Sequence, residues 1–162
     1  MPGTTDLRTI HQPWLRDLLR HWLTTSSPRT DNYSNTMRAL AIASRALAQR
    51  PGEGLDPAAL GFTDASAVVD AFRTALRRDG TAYRSSQRRT LLACFFQLID
   101  YGRRSEHLNT LAGPFSRDPV QHRIRLEGRG RHRQSPPRVG HPPARHPPGH
   151  PWHRRGPGPP RH

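Results

Sequence analysis

Lysine is absent from the 162-residue chain, so all 26 of its basic side chains are arginine. That excludes a phosphate-binding loop of the Gly-x-x-x-x-Gly-Lys-Ser/Thr type. Cysteine is nearly absent as well, with Cys94 alone. A single thiol can form neither a disulfide framework nor a cysteine-rich zinc site, and it suits a reducing, cytoplasmic setting. Long apolar runs are missing: no stretch approaches the roughly 18 uncharged residues of a membrane span. The start, MPGTTDLRTI, lacks a basic segment leading into an apolar one. Neither export nor a membrane partner is expected.

Acidic residues are scarce and unevenly spread. Residues 1–120 hold 16 arginines against 11 acids, a net of +5, whereas residues 121–162 hold 10 arginines against Glu127 alone, a net of +9. Those last 42 residues also contain 10 Pro, 7 His and 6 Gly, and their only apolar members are Ile124, Leu126, Val139, Ala144 and Trp152. So little apolar surface cannot offset the entropy of ordering the segment, which predicts a disordered basic tail over 121–162. Residues 1–120 suit one small domain.

Helical periodicity runs through that domain. Pro13 fits a first helical turn, and Trp14, Leu15, Leu18, Leu19, Trp22 and Leu23 follow at helical spacing until Ser26, Ser27 and Pro28 break the pattern. Thr30 or Asp31 can cap a second helix that buries Tyr33, Met37, Leu40, Ala41, Leu47 and Ala48, with Ser44 on the same stripe. A third is expected from an N-cap at Thr63, burying Val68, Val69, Phe72 and Leu76 and ending at Arg77, Arg78 and Gly80. The fourth is expected from about Ser85 to Tyr101, with Gly102 as its stop. Its second half is apolar on almost every face, which places it at the centre of the bundle. No strand alternation, repeat or long heptad run occurs, so the fold class expected is an all-α bundle of four or five short helices.

Several chemistries can be tested against this layout. His141, His146, His150, His153 and His162 crowd the tail, but Pro and Arg interleave them and no partner is available to orient a ligand, so no metal site is expected. His122 and Arg125 form one His-x-x-Arg spacing, which a tail this rich in both residues produces by chance. Cys94 sits inside an apolar run, where core packing is expected. No pair of acids and no nucleophile–base pair shares a helical face, so neither a cofactor nor a small-molecule substrate is expected.

What remains is arginine on helices. Arg29, Arg38, Arg45, Arg84, Arg88 and Arg89 lie near the start, or on the polar faces, of the second and fourth helices, beside Thr30, Asn35, Ser85, Ser86 and Gln87. Guanidinium, hydroxyl and amide groups are those that contact phosphate oxygens and base edges, and helix N-termini add free N–H groups. Charge alone leaves a solvated face of an ordinary domain as an equal reading.

The order of motifs adds more. Residues 14–47, WLRDLLRHWLTTSSPRTDNYSNTMRALAIASRAL, resemble the start of the core-binding domain of tyrosine recombinases, the phage-integrase family. There a helix leads through a Ser-Pro-Arg-Thr-like turn, here Ser27 to Thr30, into a helix with an early Tyr, here Tyr33. The segment TDASAVVDAFRTALRRDGTAYRSSQRRTLLACFFQLIDYG, from Thr63 to Gly102, is similar to the family's later helix pair, and LAGPFSRDPV, over 111–120, to the exit toward a catalytic domain. The resemblance implies a double-stranded DNA partner and one side of a clamp around it. On matching positions it implies Arg29, Thr30, Arg38, Arg84, Ser85, Arg88 and Arg89 as DNA contacts.

Cleavage in that family needs a later domain with an Arg, a Lys, a His-x-x-Arg pair and a nucleophilic Tyr. This chain has no Lys, and Tyr33, Tyr83 and Tyr101 all precede the tail, so no catalytic residue and no enzymatic activity are expected. The tail composition is also what GC-rich DNA encodes out of register, which predicts a frameshift near Gln121 to Arg125 that truncated an integrase gene. A genuine basic arm is the competing reading of the tail. For the whole chain, the alternatives are a small helical protein-interaction module with such an arm, or a fragment without function.

Overall fold

A computed structural model describes residues 7–126; the expected tail beyond Leu126 lies outside the described residues. Among these the chain forms four α-helices: α1 (Pro13–Ser26), α2 (Thr30–Ala48), α3 (Phe62–Arg73) and α4 (Ser85–Arg104). Three short 3-10 turns, Leu7–Thr9, Pro51–Gly54 and Pro57–Ala59, join or precede them. The all-α bundle follows from the periodicity: Leu15, Leu18, Leu19 and Trp22 of α1, Met37, Leu40, Ala43 and Leu47 of α2, and Val68, Val69 and Phe72 of α3 are buried. α4 supplies Leu91, Leu92, Phe95, Phe96, Leu98 and Ile99 and packs against all three others.

Local chemistry sets the ends. α1 starts with Pro13 at its first position and stops where Ser27 turns left-handed, with φ 42°. Arg29, with extended backbone, is the N-cap of α2, so the expected cap at Thr30 or Asp31 falls one or two residues late. The start of α1 is stitched to the end of α2. His11 N–H donates to Ser44 Oγ at 2.7 Å, and Gln12 Nε2 donates to the carbonyls of Ser44 and Glu53 at 3.2 and 2.8 Å. Trp14 Nε1 donates to Gly54 O at 2.8 Å. These bonds explain why Ser44 can sit on a buried stripe.

Three expectations are corrected. Gly61, not Thr63, is the N-cap of α3, and Asp64 Oδ2 accepts from its N–H at 2.8 Å. Burial raises the Asp64 pKa, but the bonds from Arg50 and Gly61 and the Arg50 charge outweigh it and hold the carboxyl below its ordinary value. α3 also ends at Arg73 rather than near Gly80, and Leu76 is 56% exposed instead of buried. The reason is a tight hairpin. Leu76 pairs with Ala82 in an antiparallel bridge, Arg77 N–H donates to Thr81 O, and Asp79 accepts from both the N–H and hydroxyl of Thr81. Gly80, at φ 82°, supplies the left-handed residue of this turn.

The third correction concerns Gly102, which lies inside α4 and does not stop it. A Cβ there would come within 2.7 Å of Leu18 Cδ1 and 2.6 Å of Leu108 Cδ1, so the position is a close approach between α4, α1 and the segment after α4. That segment folds back as a strap. Leu108, Leu111 and Phe115 are buried, and Arg103 Nη2 donates to the carbonyls of Ala112 and Phe115 at 3.0 and 2.7 Å. Packing does not end at residue 120: His122 and Ile124 are both buried.

Candidate nucleic-acid interface

α2 packs against α4. The Thr36 hydroxyl bonds the Cys94 thiol, while farther along α2, Arg45 shares a shallow groove with Arg77, whose Nη2 donates to Gln87 Oε1 at 2.7 Å. Burial pushes the Cys94 thiol above its ordinary pKa, against a smaller opposing effect of Thr36, as befits a core residue.

The hairpin therefore connects two of the arginine-bearing elements. Arg77 is fixed from two sides, by the Gln87 amide and by the Tyr83 ring, whose centroid lies 5.6 Å from the guanidinium carbon. Gln87 Oε1 also accepts from the N–H of Arg84, the N-cap of α4. Arg45, Arg77 and Arg84 are thus linked through the hairpin and Gln87.

Of the residues expected at the site, Arg29, Thr30, Arg38, Arg45, Arg84 and Arg89 are exposed, and Arg88 is half-buried. Ser85 is buried, which turns it from a surface contact into a residue at the base of a groove beside Arg88. Arg29 and Thr30 are not gathered with the rest. Sixteen residues of α2 separate Arg29 from Arg45, about 24 Å at 1.5 Å per residue. Arg38 lies between them, two turns from Arg45. Ion pairs among the described residues engage Arg20, Arg50 and Arg73 and none of Arg29, Arg38, Arg45, Arg84 or Arg89.

No family model, curated protein or solved structure matches the chain. The site's meaning rests on its own chemistry.

Sequence reasoning placed Arg77 as a helix-end cation and left it out of the candidate site. Asp79-Gly80 was the available signal, since this dipeptide favours a tight hairpin turn. His122 stands beside a serine and an aspartate. Asp118 N–H donates to His122 Nδ1 at 2.9 Å, so the neutral ring carries its proton on Nε2 and donates it to Ser66 Oγ, also at 2.9 Å. The Asp118 carboxylate accepts from the N–H groups of Val120 and Gln121. The ring therefore donates to the serine and accepts from a backbone N–H, the reverse of the arrangement in a nucleophilic relay, where the ring accepts from the serine. It anchors the segment, stacked on Phe62 with ring centroids 5.1 Å apart.

No cluster of three His, Cys, Asp or Glu side chains suited to a metal ion occurs among the described residues, and none of their helices is long and apolar enough to cross a membrane. The tail histidines lie outside the described residues.

Proposed function

We propose that the chain binds double-stranded DNA through the exposed arginines of α2 and the start of α4, as the core-binding domain of a tyrosine recombinase does, and performs no strand cleavage itself. The observation that carries this reading is the linked series Arg45, Arg77, Gln87 and Arg84, which presents guanidinium groups beside the N-terminus of a 20-residue helix. A helix N-terminus and forked cations are suited to phosphate oxygens. The distance from Arg45 to Arg29, about 24 Å, matches about seven base pairs at 3.4 Å each, so the two ends of α2 would contact opposite ends of one footprint. Support for the absence of cleavage comes from the missing lysine and from Tyr33, Tyr83 and Tyr101, all of which pack against the core.

The test is fluorescence anisotropy of the full chain with a labelled 20-base-pair duplex across a salt series. Arg84→Ala with Arg89→Ala is expected to weaken binding severalfold and to flatten the salt dependence by about 1 to 2 in log–log slope. Unchanged affinity would remove these residues from the contact. A protein-docking module is the second reading, favoured by exposed Leu76 at the rim of a groove formed by Ile42, Ala46, Ala71 and Ala75. It expects duplex binding that ignores both substitutions.

A further inference from the structure

Leu76 is a large apolar residue that stays more than half exposed, and it does not stand alone. Single apolar side chains on a surface are ordinary, but this one borders a shallow groove of about 390 Å³. Ile42 and Ala46 of α2, Ala71 of α3 and Ala75 just after it form the apolar wall. The hairpin fixes Leu76 against this wall. Leu76 pairs with Ala82 in the antiparallel bridge, the Arg77 N–H donates to Thr81 O on one side, and the Tyr83 N–H donates to Ala75 O on the other. A surface held this rigidly loses little freedom when it is covered.

Two guanidinium groups line the same groove. Arg45 donates through Nε to Ala41 O, one turn back on α2, and Arg77 is positioned by Gln87 Oε1 and the Tyr83 ring. Neither forms an ion pair among the described residues, and no carboxylate of these residues lines the groove. The acids nearest in sequence are engaged. Asp70 pairs with Arg73, and Asp79 accepts from Thr81, whose bonds hold its carboxyl low with a smaller contribution from the Arg77 charge. An occupant must therefore bring apolar surface and negative charge together. A nucleic-acid strand supplies the charge, but no aromatic ring lines the groove to stack on its bases. A second copy of this chain, with a net charge of +14, is repelled.

We propose that this groove docks an acidic amphipathic segment of another protein, which seats a large apolar side chain against Leu76 and Ile42 and offers Asp or Glu carboxylates to Arg45 and Arg77. Planar guanidinium forks bind carboxylates through paired hydrogen bonds, so the arginines select charge while the apolar wall selects the anchor. The proposal rests on the docking reading of this groove and not on the duplex reading, from which it parts at Leu76.

The experiment selects displayed random peptides of about 16 residues on the full chain and measures the enriched ones, labelled, by fluorescence anisotropy. Enriched sequences are expected to carry Asp or Glu around a Leu, Ile, Phe or Trp. L76T is expected to weaken their binding about fivefold or more, and R45Q about threefold. Affinity within twofold of wild type in both variants overturns the site, as does a selection that enriches nothing. Where L76T lowers the melting temperature, T74E decides instead: Thr74 is exposed and lines the groove, and a carboxylate there leaves Leu76 and both arginines in place. Weakened peptide binding by T74E sustains the proposal, and affinity within twofold overturns it. Enriched peptides that are apolar but not acidic, and that lose affinity in L76T, overturn the acidic partner and leave the docking reading standing. Peptide binding that falls in R45Q, ignores L76T and is displaced by the 20-base-pair duplex assigns the arginines to phosphates and overturns the docked segment.

Discussion

The strap after α4 and the outer faces of α2 and α4 both involve arginine, in different ways. Backbone carbonyls of the strap, from Ser105 to Leu126, accept from guanidinium groups of the helices: Arg103 of α4 bonds Ala112 and Phe115, and Arg73 of α3 bonds Gln121 and Arg123. On the helix faces Arg29, Arg38, Arg84 and Arg89 are exposed. A planar donor fork can tie two carbonyls while its charge stays partly solvated, so the same residue type that displays charge on a helix can fasten irregular backbone. Where arginine is the only strongly basic residue, net charge measures neither use by itself.

The comparison is most sharply broken at the end of the strap. Ending the chain after Val120 instead of Leu126 removes buried Ile124 and the His122 anchor. A loss of about 3 kcal/mol of stability is expected, read as a melting temperature lower by roughly 10 °C. Equal melting of the two lengths would show that the strap's end is passenger sequence.

Next in size, Arg103→Ala leaves two carbonyls without their donor and should cost about 2 kcal/mol in denaturant unfolding. Arg89→Ala, on an exposed face, should cost less than about 0.5 kcal/mol. Equal costs would erase the distinction between the two regions.

A smaller effect is expected from pH. Burial is the largest influence on His122 and lowers its pKa, Arg73 and Arg117 act in the same direction, and Asp118 and Asp70 oppose them. The unfolded chain, with an ordinary value of about 6.5, therefore takes up this proton more readily than the folded one. Stability is held above that pH and falls as the pH drops below it, well before the carboxylates titrate near pH 4. Thermal melts from pH 8 to 5 should show this decline in the wild type and a flatter profile in His122→Gln. A flat wild-type profile would remove the histidine from the account.

Much of the bundle was legible because its helices bury one face at a period of 3.6 residues, as Leu15, Leu18, Leu19 and Trp22 do. The errors arose where two local signals competed or where a distant partner decided. Thr74 to Arg78 continue a helical pattern, and only the bridge between Leu76 and Ala82 settles the segment as a hairpin. Gly102 reads as a helix stop in isolation, but Leu18 and Leu108 make it a packing position. Averaging composition over 42 residues hid the few at its start that find Ser66 and Phe62. For the candidate site, the exposed arginines of α2 and α4 were readable from helical phase. Arg77 was not, because a hairpin brings it there.

The bond from His122 to Ser66 spans 56 positions of the chain. During synthesis, α1 to α4 emerge first and can associate, but the face of α3 around Ser66 and Phe62 stays uncovered until Ile124 has cleared the ribosome. The strap can dock only after that. Until it does, the nascent bundle exposes an apolar surface available to a chaperone, and a pause in translation just after α4 would prolong that exposure.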